Sequence, residues 1–450
     1  MGDLNQSTSC KIRLRKDLNA DALYAEVHRG FSKVEETAKG SPQISLCDNL
    51  MSGFAIFSLK DPSLLAFDQR RKREEHNLKS IYGMERVPCD TQMRTRLDDV
   101  EPDSLRPAFK AVFRKAQRGK VLEKFVFMKG CYLIPIDGTG YFSSEKLSSP
   151  YCLKKKNSLS GKTTHYLQTL GAVIAHPLQK EVIPLPPEPI SRQDGETKND
   201  CERNACRRWL QKFRKDHPHL KVIITEDGLS PNAPHIRDLK AHHCHFILRL
   251  KDGDHVYLSN WLDKAVENGK AMEHDMADET NPNIHHFFRF FNNVPLNKSN
   301  QDLLLNVLEY WETNGDEIKP FCWVTDFKIT RLNAYQIMRG GRTRWKVENE
   351  TINTLKNQGY NFEHNYGLGK KYLSMVFVSL MMLAFLVDQL QQVACPLFRT
   401  AWEKADGKRQ LWEKIRSAFH FFFVDSMAMI YRLIIKGPQT IKPIPVIDTS

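Results

Sequence analysis

Two aspartates stand at the ends of apolar runs, where their carboxylates could do chemistry. Residues 132–136 read as a buried strand that ends in Asp137, with Gly138 and Gly140 leaving room beside the acid. Residues 220–225 form a second such run, closing in Glu226-Asp227-Gly228. A carboxylate at the tip of a central strand can present a hard metal ligand, although Asp-Gly is also ordinary turn chemistry. The recurrence of the pattern, and a third acid on a helix, favour the ligand reading. That acid is Glu348, within Arg344-Trp345-Lys346-Val347-Glu348-Asn349-Glu350. Carboxylate oxygens with no His or Cys cluster nearby suit Mg²⁺ or Mn²⁺ rather than zinc. The 10 cysteines are scattered without paired spacing, and His242-His243-Cys244-His245 lacks partners at ligand spacing. They read as reduced, structural thiols of a cytosolic chain.

These residues need a sheet that sets both strands side by side. Residues 165–175 and 181–185 read as two further strands. Residues 199–217 form a helix with Cys206, Trp209, Leu210 and Phe213 on its apolar side, and 231–242 a second helix before a strand at 245–250. The order strand, strand, strand, helix, strand, helix, strand is that of an α/β, RNase H-like mixed sheet. In such a sheet the first and fourth strands are parallel neighbours, so Asp137 and Asp227 meet at one edge. Carboxylates that close resist ionisation unless a cation sits between them. Residues 251–319 break the pattern, with a polar loop at 271–283, a strand-like run at 285–292 and an apolar segment at 303–311. They read as a β-rich insertion, after which 320–330 resume as a core strand and 333–358 as a helix broken at Gly340-Gly341.

The expected organisation is a helical, basic DNA-binding region at 1–129, a catalytic domain at 130–250 and 320–366, the insertion at 251–319, a helical region at 367–437 and a tail at 438–450. Within the first region, 92–100 is a helix carrying Arg94 and Arg96, either half of a helix-turn-helix or a solvated basic face. Residues 106–118 are better defined. Phe109, Val112, Phe113 and Ala116 form an apolar stripe, and Lys110, Arg114 and Arg118 a basic one. Between Ser104 and Lys129 there are 8 Lys/Arg against 1 acid, and the whole chain carries a net charge of +13. That sign imbalance points to a polyanionic partner. Lys154-Lys155-Lys156 adds a basic run in a polar loop.

The third motif resembles that of the DDE transposases of bacterial insertion sequences, in the class (the insertion-sequence-four family) whose signature is Tyr, two residues, Arg, three residues, Glu, six residues, Lys. Arg344 and Glu348 match its Arg-x3-Glu core, and 90 positions separate Asp137 from Asp227 and 121 separate Asp227 from Glu348. The longer gap fits the β-rich insertion of this class. The resemblance implies that Asp137, Asp227 and Glu348 are catalytic and hold two Mg²⁺ or Mn²⁺ ions, and that Arg344 and Lys356 contact DNA phosphates. Glu350 is the rival to Glu348, which is preferred because Arg344 lies one turn before it on the same face. Two departures stand out. The tyrosine position falls on Gly341, with Tyr335 a conceivable substitute, and the lysine comes one residue late, at Lys356. On a regular helix that turns it by about 100°.

The activity implied is two-metal cleavage of element ends and strand transfer into target DNA, through a hairpin intermediate in some relatives. Those relatives stack a flipped base on a tryptophan; Trp323 and Trp311 are the candidates here. The resemblance further implies double-stranded DNA as the partner, held by a homodimer on the DNA, at the nucleoid in the cytoplasm. The competing readings are an element-derived DNA-binding protein that no longer cuts, and another RNase H-like nuclease without strand transfer, such as a junction resolvase. No membrane is implied. The most apolar run, 372–387, is shorter than the roughly 20 residues that cross a bilayer and reads as a buried core helix.

Overall fold

The computed structural model of the chain describes residues 15–192, 199–227, 231–251, 253 and 255–437. Gly228 and the tail 438–450 lie outside the described residues. The N-terminal part is helical, with α1 (Ala20–Phe31), α2 (Leu46–Leu59), α3 (Leu64–Tyr82), α4 (Asp90–Asp98) and α5 (Arg106–Arg118). Asn19, Ser45 and Ser63 cap the first three by accepting bonds from backbone N–H groups of the first turn. On α5 the apolar stripe is buried as its spacing predicts, leaving Arg114 and Arg118 exposed. Arg94 and Arg96 of α4 are each taken by an acid, Asp90 and Glu36, so that helix does not present a free basic face.

The sheet begins with β1 (Tyr132–Ser144), β2 (Leu153–Lys156), β3 (Thr163–Ile174), β4 (Ile183–Pro184) and β5 (Glu188–Ile190). Helix α6 (Glu202–Asp216), β6 (Val222–Glu226), α7 (Ala233–Ala241) and β7 (His245–Leu250) follow. β3 runs antiparallel to β1, and the short β4 and β5 line the far side of β3. β6 pairs parallel with β1, and β7 parallel with β6. The strand order is β2-β3-β1-β6-β7, with β4 and β5 also paired to β3, so that β1 lies centrally beside its parallel neighbour β6 as in an RNase H-like sheet, with α6 and α7 as the crossovers.

After α8 (Val256–Glu267) come β8 (Met272–Ala277), β9 (Ile284–Asn297), β10 (Asn300–Asn314) and β11 (Glu317–Thr325). Two expectations change here. The polar stretch 271–283 contains a strand, β8, rather than a loop throughout. And β11 pairs with β7, so the added strands extend the same sheet, in the order β7-β11-β10-β9-β8. Helix α9 (Ala334–Arg342), a π-helical turn (Val347–Ile352) and α10 (Asn353–Asn357) carry the third motif. The helix runs through Gly340 and Gly341 and breaks just after them, at Thr343-Arg344.

Helix α11 (Leu373–Ala394) is longer than the apolar run suggests, 22 residues, and every residue in it is buried. It would be long and apolar enough to cross a membrane, yet it packs against α2, α4 and β4. Helices α12 (Pro396–Lys404), α13 (Lys408–Phe421) and α14 (Met427–Lys436) close the chain.

Candidate active site

Asp137 is not a strand terminus. β1 continues through it to Ser144, because Gly138–Ser144 keep an antiparallel partner in β3 after β1 has parted from β6. The last parallel pair is Pro135 with Thr225, so Asp137 and Asp227 each lie two residues past it in matching register. Both line one cavity of about 370 Å³, together with Glu202 and Glu226.

Glu202, at the first position of α6, was not among the sequence candidates. A Cβ added at Gly138 would lie 2.3 Å from its Oε1, so the glycine makes room for this carboxylate beside Asp137. Burial pushes the Glu202 carboxyl above the usual carboxylate range, and Asp137, Asp227 and Glu226 add to the rise. Asp137 is also raised, first by burial, with Arg344 opposing and Asp227 reinforcing the shift. Crowded acids of this kind fit a hard divalent cation, which would relieve their repulsion. Arg344 Nη1 donates to Asp137 Oδ2 at 2.9 Å, and Lys251 Nζ, at the end of β7, lies 3.3 Å from Asp227 Oδ2.

The third motif reaches this edge through Val347 and Ile352. Their side chains lie 3.8 and 3.9 Å from a Cβ placed at Gly171, the register partner of Asp137. Glu348 is exposed on the same π-helical turn. Glu350 instead acts on Lys346, where it opposes the lowering of that ammonium's pKa by burial. Lys356 pairs with Glu363 at 2.9 Å. The π-helical turn between Glu348 and Lys356 takes up one extra residue relative to an α-helix, so the 100° offset expected for a regular helix does not apply.

Glycine at position 341 has a physical reason. A Cβ at Gly341 would sit 2.4 Å from Nε1 of Trp323, which is buried in the core as a strand residue. Tyr335 stands edge-on to His286 of β9 with ring centroids 5.4 Å apart, so it faces the added strands. Trp311 is half-buried, with the Arg289 guanidinium 5.3 Å from its ring centroid.

Lys154, Lys155 and Lys156 are exposed on β2, a strand where a loop was expected. Lys155 and Lys156 line a groove of about 780 Å³ with Gly140 and Gln168, and Gln168 also lines the acidic cavity. Acidic edge and basic strand are thus contiguous along the β1–β3 ribbon. Lys110 and Arg114 line a different cavity, with Arg29, Lys33 and Lys215, that shares no residue with the acidic one.

The expectation of no His or Cys cluster nearby fails. Cys206 of α6 and His235 of α7 converge on Glu226, and all three side chains are buried. They lie far apart in sequence, so no spacing signal marks them. Among the described residues the cysteines form no disulfide.

Residues 163–386 match the family model described as Transposase DDE domain, a stretch that includes Asp227 and Glu348 and begins after Asp137. The match supports a place among the DDE transposases. No curated protein matches the sequence. Among solved structures, the chain is similar to a piggyBac transposase in a synaptic complex with hairpin DNA. The identity is 11%, over 94% of this chain and 81% of that one, with a TM-score of 0.37.

Proposed function

Taking the transposase DDE domain as premise, we propose that this chain cuts the ends of a DNA insertion sequence and joins them to target DNA, as a member of the insertion-sequence-four family. The observation that carries the reading is the shared cavity of Asp137 and Asp227, in matching register on neighbouring strands and contiguous with the basic strand β2. Asp137, Asp227 and Glu348 would hold two Mg²⁺ or Mn²⁺ ions. When bound, such ions stabilise charge on the scissile phosphate and lower the pKa of the attacking water or 3′-hydroxyl. Arg344, paired with Asp137, would exchange that carboxylate for a DNA phosphate. Lys154, Lys155 and Lys156 would track one strand along the groove. Lys356 would contact phosphate near the cut, and Lys110, Arg114 and Arg118 would hold flanking DNA. The chain acts as a homodimer that pairs two ends.

The test uses DNA carrying the element's terminal repeats. Wild-type protein should nick at the repeat boundary only with Mg²⁺ or Mn²⁺, and then yield joined products. Asp137→Asn and Asp227→Asn should abolish nicking yet retain salt-sensitive binding. Nicking by Asp137→Asn at the wild-type rate would refute the site. Binding without any nicking by the wild type would favour an element-derived DNA-binding protein, and cut ends that are never joined would favour a nuclease.

A further inference from the structure

We propose that Cys206, Glu226 and His235 form a binding site for a zinc-class divalent ion, distinct from the hard-metal edge at Asp137 and Asp227. The three residues come from α6, the end of β6 and α7, and one ligand atom from each lies within 4.8 Å of the others. Cys206 Sγ is 3.1 Å from Glu226 Oε1, and His235 Nε2 is 2.7 Å from Glu226 Oε2. At that second distance a hydrogen bond would be routine. Yet His235 Nε2 is a buried atom without hydrogen-bond geometry to any partner. At 2.7 Å the ring nitrogen and the carboxylate form a close buried pair, and against the pull of burial Glu226 holds the imidazole pKa up.

The chemistry of the donors selects the ion. One thiolate, one imidazole and one carboxylate form a mixed set that zinc accepts and that Mg²⁺ does not. A thiolate and a carboxylate bring two negative charges, which a divalent ion neutralises in an otherwise buried pocket. Tetrahedral zinc at ordinary bond lengths needs donors roughly 3.3–3.6 Å apart, a spacing the three side chains could reach by small rotations, since one ligand atom from each already lies within 4.8 Å of the others. All three residues also line the cavity that holds Asp137 and Asp227, which leaves a face for a water as fourth ligand. Glu226 directly precedes Asp227, so an ion here would pin the end of β6 and fix where that aspartate points. Cys206 and His235 are then positioning residues.

The test measures metal in the full-length protein after exhaustive dialysis, by plasma mass spectrometry, and the visible and near-ultraviolet spectrum after Co²⁺ substitution. About one equivalent of zinc per chain is expected, with a thiolate-to-cobalt charge-transfer band. Asp137→Asn should keep both. Cys206→Ser should lose the band, and His235→Gln should weaken zinc binding by at least about tenfold. A wild-type chain that binds no zinc, or a Co²⁺ band that survives Cys206→Ser, overturns the assignment. The wild-type measurement decides the matter even where a variant does not fold, and it is independent of any DNA-cleaving activity.

Discussion

Replacing Gly341 by alanine should destabilise this chain, although the same change in most helices is stabilising. Gly341 is buried near the end of α9, and an added Cβ would lie 2.4, 2.6 and 2.8 Å from Nε1, Cε2 and Cδ1 of Trp323. That indole cannot swing aside cheaply. It is 2% exposed, stacks on Phe321 at 5.5 Å with parallel planes, and has Tyr310 at 6.2 Å. Helix propensity returns about 1 kcal/mol on going from glycine to alanine. Overpacking a rigid aromatic site costs about 1–3 kcal/mol. The net expectation is a loss of about 1 kcal/mol, rising towards 2 if the indole cannot relax at all. Tyrosine at this position adds a whole ring and should cost more. Urea unfolding followed by far-ultraviolet circular dichroism measures the difference. The same substitution made in a Trp323→Leu background isolates the clash, because residues in contact couple while distant ones add. There, Gly341→Ala should be neutral or stabilising. An alanine variant as stable as the parent, or an equal loss in both backgrounds, would show that Trp323 is not why glycine stands here.

Two further outcomes follow from buried charge. Lys60 and Asp388 are each 1% exposed and 2.6 Å apart, with the ammonium between the rings of Tyr360 and Trp412 at 4.0 and 4.1 Å. Lys60→Met leaves Asp388 buried without its cation and should cost about 3–5 kcal/mol, whereas Lys60→Met with Asp388→Leu should cost clearly less, both read by denaturant titration. Glu202 has its pKa raised by burial and by Asp137, Asp227 and Glu226. A carboxyl raised on folding gives a stability contribution that is present below its unfolded pKa and lost as pH rises through the folded one. Without divalent ions, Glu202→Gln should therefore be more stable than the parent at neutral pH, with the gap closing below about pH 4. A variant less stable than the parent at neutral pH would contradict this.

Where the sequence reads the fold well, the signal is burial. The apolar runs that become β1, β6 and β7 lie in the centre of the sheet, and the residues of α11 are packed on all sides. Where it reads poorly, pairing overrides local chemistry. Gly138 and Gly140 look like a turn after Asp137, but β3 supplies partners across from them and holds them as strand. β8 is Met-Glu-His-Asp-Met-Ala, an edge strand with little buried on either face, so it has no hydrophobic alternation and exists through its pairing with β9. No local pattern says that the strands after α8 will join the edge of β7 rather than form a sheet of their own. That choice is made by β11 meeting β7 through tertiary contact.

The site divides along the same line. Asp137 and Asp227 are legible because each follows an apolar run, and parallel neighbours must bring such positions together. Glu202 is not, since an acid in the first turn of a helix is usual for reasons of the helix dipole alone. Only the missing side chain of Gly138 reveals that it turns into the cavity. The departures in the third motif likewise have separate local causes. Gly341 yields its space to an indole carried by β11, a strand outside the five-stranded RNase H-like core. Lys356 is late by one residue, and the intervening turn is π-helical, with i→i+5 bonds in place of i→i+4. Spacing counted along the sequence assumes a regular helix. Over residues 347–352 the chain is not one, so the register of Lys356 relative to Glu348 has to be taken from the backbone and not from the count.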